Sequence, residues 1–213
     1  MIVCWSIKGG SGTTVVASTL ALIRAAESQR GALLVDLAGD VPAVLGLADP
    51  TGPGVCEWMS NSDASSRMSL QSLVIQATAN LQLLARGADS FSTTTNFNEF
   101  CSALEKFDVP VIIDAGCGVP PPDLLAHATS SLLVTRPCYL SLRRAAQLTT
   151  TPTGIVLINE PGRALGRRDV EAVVGAPVTA EITFDPAIAR AVDAGLLASR
   201  LPAILSKQLA TAA

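Results

Sequence analysis

Near its start the chain passes from an apolar run, Ile2–Ile7, into Lys8-Gly9-Gly10-Ser11-Gly12-Thr13-Thr14, and a helix-like stretch, Thr13–Glu27, follows directly. This junction constrains the fold more than any other feature. A buried strand that turns on glycines into a helix aims successive backbone N–H groups into one concavity, and the helix dipole adds its positive end there. Such a turn is a cradle for phosphate. The usual phosphate loop reads G-x-x-x-x-G-K-[ST], in which the lysine reaches the β- and γ-phosphates and the Ser/Thr holds Mg²⁺. Here Ile7 stands at the first glycine and Thr13 at the lysine, while Gly12 and Thr14 keep their places. Lys8 lies just ahead of the glycines and, with Lys106 and Lys207, is one of only three lysines, a scarcity that singles out its position beside the loop.

Apolar runs closed by polar or turn residues recur at Ile2–Ile7, Ala32–Asp36, Leu81–Ala85, Val109–Asp114, Ser131–Thr135, Ile155–Asn159 and Val178–Ile182. Helix-like stretches lie near 14–28, 96–106, 122–129, 139–149, 166–174 and 185–195, with a last one near 201–211. Strands apolar on both faces and alternating with helices predict an α/β fold. Its core is a mainly parallel, doubly wound sheet of about seven strands with helices on both faces. At 213 residues the chain is expected to form a single domain, 1–213, around one large core. Residues 49–72 are rich in Gly, Pro and Ser around a short segment, Cys56–Met59, and 87–95 are polar; both read as surface connections.

Composition removes several classes. Although 49% of residues are hydrophobic, no run of 18 apolar residues occurs, which argues against a membrane span. The first residues lack a basic n-region, so no signal peptide and a cytoplasmic location are expected. The segment Leu201–Ala213 carries one lysine and no basic face, unlike a helix that lies on a membrane. Five scattered cysteines without a C-x-x-C, and the single histidine His127, do not make a zinc site; reduced, mostly buried thiols are expected. A net charge of −3 gives no global field toward nucleic acid or anionic lipid. His127 has no acidic partner in evident register and reads as a packing residue, as do Trp5 and Trp58, the latter with a partner contact as the alternative.

In sheets of this kind ligands gather beyond the carboxyl ends of the strands, so the polar residues closing the runs matter most. Asp114 ends Phe107-Asp-Val-Pro-Val-Ile-Ile-Asp114: it either orients the Mg²⁺ shell beside the phosphate loop or caps the segment that follows. Asp36 closes the second run ahead of Leu-Ala-Gly-Asp40. It either enters a phosphate- or water-positioning loop or is a turn residue, since Asp-x-x-Gly-Asp is good turn chemistry. Thr14 reads as a Mg²⁺ ligand because the glycines precede it.

Taken together, Lys8-Gly-Gly-Ser-Gly-Thr-Thr resembles the deviant Walker A motif of the MinD/ParA superfamily, K-G-G-x-G-K-[ST]-[ST]. The resemblance continues in order through Val35-Asp36, Gly39–Leu47, Phe107–Gly116, Val156–Asn159 and Asp185-Pro186, and so covers essentially the whole chain. The stretch Gly39-Asp-x-x-x-x-Leu-Gly-Leu47 and the replaced lysine are most similar to the pilus-localising TadZ/CpaE branch, without that branch's common extra N-terminal domain. The resemblance implies an ATP/ADP- and Mg²⁺-dependent homodimer, an ATP sandwich, that works with protein partners in positioning pilus, division or chromosome machinery. Within it, Lys8 crosses to the partner's phosphates, and Gly9, Gly10, Ser11, Gly12, Thr13, Thr14 and Val15 wrap the phosphates of their own nucleotide. Thr14 and Asp114 hold Mg²⁺, and Asp36 lies near the attacking water. Asn159 reads the adenine edge, and Asp185 and Pro186 flank the base.

Two departures from the family pattern bear on activity. Thr13 replaces the charge on the β/γ-phosphates, and Ala38 stands where active members often carry a second acidic residue, with Asp40 as its substitute. A charge-assisted hydrogen bond is worth about 1.5–3 kcal/mol, so nucleotide affinity would fall by roughly 10–100-fold. The backbone amides and the helix dipole survive. The expectation is a weak or slow ATPase, with a non-hydrolysing scaffold that recruits protein partners as the alternative. A ParA-like, non-specific DNA-binding role would rest on Arg143, Arg144, Arg163, Arg167 and Arg168, which read more simply as solvated helix faces. Cys117 would suit an iron–sulfur relative only with a second interface cysteine; Cys101 falls in a helix, so a buried thiol is expected at Cys117.

Overall fold

Along the central strands successive side chains enter two different cores. Val3 and Trp5, Leu33 and Val35, Ile113, Leu133, Ile155 and Leu157 point to one; Cys4, Leu34, Ile112, Leu132, Val134 and Val156 point to the other. A strand with apolar residues at both parities has no face for water, so helices must cover both sides. The computed structural model describes residues 1–61, 68–91, 96–200, 203–210 and 212. The strands are β1 (Ile2–Ser6), β2 (Ala32–Asp36), β3 (Ile75–Gln76), β4 (Leu81–Leu84), β5 (Val111–Cys117), β6 (Ser130–Thr135), β7 (Gly154–Asn159) and β8 (Val178–Thr183). They form one sheet in the order β3-β4-β2-β5-β1-β6-β7-β8, parallel throughout except for the β3–β4 pair.

The helices are α1 (Thr13–Glu27), α2 (Val41–Leu45), α3 (Val55–Ser60), α4 (Phe97–Leu104), α5 (Pro122–Ala126), α6 (Tyr139–Ala145), α7 (Arg167–Val174), α8 (Pro186–Asp193) and α9 (Ala203–Leu209). α1 and α2 cover one face of the sheet through Val16, Leu20, Ile23, Val41, Val44 and Leu45. The other face is closed by α3–α7 through Trp58, Phe100, Leu104, Leu124, Leu142 and Val170. β1 lies between β5 and β6, where the strand order reverses, so the glycine loop that follows it opens at the switch point of the sheet.

The α/β expectation and the parallel sheet hold, with one strand more than the seven read from apolar runs. The extra strand, β3, is an exposed two-residue antiparallel edge, too short for any periodicity. β5 starts after Pro110, whose carbonyl accepts the Leu33 N–H, and it runs past Asp114 to pair Cys117 with Ser6. α2 was not expected: Pro42 stands second in its five residues and Gly46, at φ 72°, closes them. The stretch near 139–149 leaves the helix after Ala145 through i→i−3 bonds, Gln147 N–H to Arg144 and Leu148 N–H to Ala145. Part of 49–72 is not a surface connection, because α3 buries Val55, Cys56 and Trp58. Residues 62–67 of that stretch, 92–95 of the polar loop and 201, 202 and 211 of the last helix-like stretch lie outside the described residues. His127, expected to lack an acidic partner, bonds Glu105 through Nδ1 (2.7 Å) and Asn98 through Nε2 (2.8 Å), both brought to it by α4 packing on α5. Trp5 and Trp58 are packing residues, donating to Ser131 Oγ (2.9 Å) and the Met68 carbonyl (2.8 Å). Among the described residues no helix is long and apolar enough to cross a membrane.

Candidate functional site

The loop between β1 and α1 is shaped by two left-handed glycines, Gly10 (φ 73°) and Gly12 (φ 94°), a conformation that residues with a Cβ rarely adopt. A Cβ built on Gly9, Gly10 or Gly12 would meet no atom within 4 Å, so open space lies in front of this backbone. The loop is braced from behind: Ser11 Oγ donates to the Lys8 carbonyl (2.7 Å), and Ser6 Oγ donates to the carbonyls of Lys8 (3.2 Å) and Gly116 (3.3 Å). Arg144 adds a bond to the Ile7 carbonyl (2.9 Å). Gly12 begins α1 with no side-chain cap, which leaves the first-turn N–H groups for an outside acceptor.

These groups face a cavity of about 460 Å³ lined by Gly9–Val15, Leu37, Ala38, Asp40, Arg86 and Gly116, among others. A second, more apolar cavity of about 200 Å³ adjoins it and shares Ser11, Gly12 and Val15. Its walls are Val16, Ile158, Ile182, Phe184 and Ile188, with Arg136 and Asp185 at polar points. Arg136 stacks over the Phe184 ring at 5.5 Å and pairs with Glu160 (2.8 Å).

Asp36 and Asp114 sit side by side on β2 and β5, both fully buried. Asp36 is engaged: Oδ1 accepts N–H groups of Ala38 (3.0 Å) and Gly39 (2.6 Å), and Oδ2 that of Val41 (3.1 Å). Burial raises its pKa, and the three N–H bonds offset only part of that. Asp114 is different. Oδ1 accepts the Gly116 N–H (3.1 Å), while buried Oδ2 has no hydrogen-bond partner among the described residues. Burial pushes its pKa up to about 6, the neighbouring Thr14 hydroxyl lowers it without a bond of normal geometry, and the Asp36 charge raises it. An orphaned carboxylate oxygen next to a hydroxyl at the lip of a phosphate-sized cavity suits a hard cation that keeps waters and takes its other ligands from phosphate. Mg²⁺ fits this donor set. No group of three His, Cys, Asp or Glu that could form an all-protein metal cage occurs among the described residues.

The structure therefore brings Gly9, Gly10, Ser11, Gly12, Thr13, Thr14, Val15 and Asp40 around one cavity, with Asp114 buried next in sequence to Ala115 of its wall, Asp185 in the adjoining cavity and Pro186 opening α8 beside it. Lys8 lies outside its own cavity wall, its Nζ on the Gly9 carbonyl (3.3 Å). Asp36 is held in the loop turn, and Asn159 Nδ2 donates to Glu181 Oε1 (2.7 Å) rather than lining the apolar cavity. Cys117, expected to be buried, is exposed on the cavity rim because β5 carries it past the end of the core. Arg163 and Arg167 pair with Glu160 and Glu171. Two basic residues escaped the sequence reading, Arg86 and Arg136. Each follows the carboxyl end of an apolar run, so the rule that selects Asp36, Asp114 and Asn159 also selects them.

The fold is that of the ParA/MinD type of P-loop protein. A ParA family ATPase from Chlorobium tepidum TLS superposes with a TM-score of 0.74 at 22% identity, over 98% of this chain and 94% of that one. The MinD cell division protein of Aquifex aeolicus gives 0.71 at 16% identity, over 97% and 94%. The septum site-determining protein MinD of Pyrococcus horikoshii OT3, complexed with Mg-ADP, gives 0.71 at 17% identity, over 98% and 93%. No protein-family model and no curated protein matches the sequence.

Proposed function

We propose that this chain, acting as one domain, binds ATP and ADP with Mg²⁺ and works as a nucleotide-dependent homodimer that positions cellular machinery in the cytoplasm, with slow hydrolysis. The observation that carries the reading is the pair of adjoining cavities. One is lined by backbone amides and sized for phosphates, the other is apolar and sized for a base, and both share Ser11, Gly12 and Val15. The fold shared with MinD bound to Mg-ADP supports it. The Gly39–Leu47 stretch and Thr13 favour the pilus-localising TadZ/CpaE branch, with division or chromosome machinery as the alternative clients.

In this reading the amides of Gly9–Thr13 and the α1 N-terminus hold the phosphates, and Thr14 and Asp114 hold Mg²⁺, which supplies charge neutralisation on them. Asp40, exposed on the cavity wall, is the carboxylate free to orient a water, while Asp36 fixes the loop that presents it. Asn159 and Glu181 brace the strand ends beside the base, and Asp185 with Pro186 sets the α8 end of the base pocket. Lys8, which does not line its own cavity, supplies charge to the second copy's phosphates.

The engaged Asp36 and the missing lysine also favour a second reading, a scaffold that binds nucleotide without turning it over. DNA binding is disfavoured by the acidic partners of Arg163 and Arg167. Titrating Mg-ATP into wild type and Lys8→Ala by calorimetry and light scattering tests the proposal. Wild type is expected to bind and dimerise; Lys8→Ala should bind and remain monomeric. Absence of both binding and dimer in wild type overturns it, and phosphate release divides slow ATPase from scaffold.

A further inference from the structure

Thr13 leaves the phosphate cavity without its expected lysine, and Lys8 is not on the wall. One basic side chain among the described residues does line that cavity: Arg86, two residues past the end of β4. We propose that Arg86 is the cation this protein uses in cis for the terminal phosphates of its nucleotide, in the place vacated at Thr13. The proposal rests on the nucleotide-binding reading above.

Three features make Arg86 a prepared ligand rather than a loose surface charge. Its backbone is held at the start of α3, where the Arg86 carbonyl accepts the Cys56 N–H (2.8 Å) and the Ala85 carbonyl accepts that of Val55 (2.9 Å). The turn beyond it is tied to Glu57, whose Oε1 accepts the N–H groups of Ala88 (2.7 Å) and Asp89 (2.9 Å). The guanidinium itself is oriented: Nη1 donates to the carbonyls of Leu37 (3.0 Å) and Ala38 (3.3 Å), and the group stacks over Phe91 at 5.2 Å. A guanidinium carries five N–H donors in a fixed fork, so two carbonyl bonds from Nη1 and a contact with the Cys56 thiol do not exhaust it. Phosphate is the acceptor such a fork suits best.

The position also assigns which phosphates are met. Arg86 grips the carbonyls of Leu37 and Ala38, and these three residues and Asp40 line the phosphate cavity but not the adjoining apolar one, whereas Ser11, Gly12 and Val15 line both. Arg86 therefore reads the distal end of the chain of phosphates, and its two carbonyl bonds couple that end to the loop carrying Asp40.

Calorimetric titration of adenosine, AMP, ADP and ATP into wild type, Arg86→Gln and Arg86→Lys tests this, with each variant's fold checked by circular dichroism. Arg86→Gln is expected to lose about 10-fold or more in ATP affinity, the weight of one charge-assisted bond. Its affinity for adenosine should stay within about two-fold, and Arg86→Lys, which keeps the charge, should recover part of the ATP affinity. Equal ATP affinity in wild type and Arg86→Gln overturns the proposal and leaves the nucleotide reading standing. So does an equal loss for adenosine and ATP, the mark of a brace for the loop. Wild type that binds none of the four overturns both.

Discussion

Two neighbouring carboxylates, equally buried and one strand apart, are set to opposite purposes by what surrounds them. Asp36 collects three backbone N–H groups, and Asp114 keeps one oxygen without a partner. Removing Asp36 would orphan the amides of Ala38, Gly39 and Val41; Asp36→Ala is expected to cost about 2–4 kcal/mol by urea denaturation. Asp114 behaves in the reverse sense. Its folded pKa of about 6 lies above the ordinary 3.8, so its contribution to stability is present below pH 3.8 and is lost as pH rises through 6. Asp114→Asn should therefore raise stability at pH 7.5 by up to about 3 kcal/mol, with the gap narrowing toward pH 5, while it weakens Mg²⁺-dependent nucleotide binding. A urea midpoint at pH 7.5 below that of wild type would refute this assignment. Both aspartates were legible in the sequence as strand-closing residues. Their difference was not, because it depends on which amides the turn after Asp36 brings back onto it.

At the scale of elements, β1 with its loop and α1 followed from the glycines and the apolar run, while α2 left no periodic signal in five residues. What fixes α2 is a contact distant in sequence. A Cβ on Gly46 would lie 2.0 Å from the Gly195 carbonyl oxygen, and one on Gly195 would lie 2.8 Å from Gly46 Cα. The two glycines let the ends of α2 and α8 touch backbone to backbone, and both sit at positive φ. Gly46→Ala should cost about 2–4 kcal/mol by denaturant melting. It should also weaken adenosine binding, because α8 supplies Ile188, Ala189 and Val192 to the apolar cavity. An unchanged melt would mean that the helices are not locked there. Asn159 shows the same limit from the other side: it closes a strand as expected, yet Glu181 on the adjacent strand takes its amide.

For the whole molecule, ligand occupancy and association should be thermodynamically linked. Saturation with Mg-ATP at 100 times Kd stabilises a one-site protein by about 2.7 kcal/mol, and a nucleotide-bound dimer adds a dependence on protein concentration. Melting by scanning fluorimetry should give a Tm with Mg-ATP that rises with protein concentration in wild type and not in Lys8→Ala; a rise in both would remove Lys8 from the interface. The parallel sheet was legible because each apolar run is buried on both faces, whereas its order depends on pairings of distant segments. That order reaches back to how the chain is made. The strand that ends in the glycine loop is made before both of its neighbours, which begin at Val111 and Ser130. At about 5–20 residues per second, translation takes roughly 6–26 s to deliver both. Throughout that interval Ile2–Trp5 is an apolar segment without either of its sheet partners, so a strand at the centre of the finished sheet depends on chaperone shelter until they arrive.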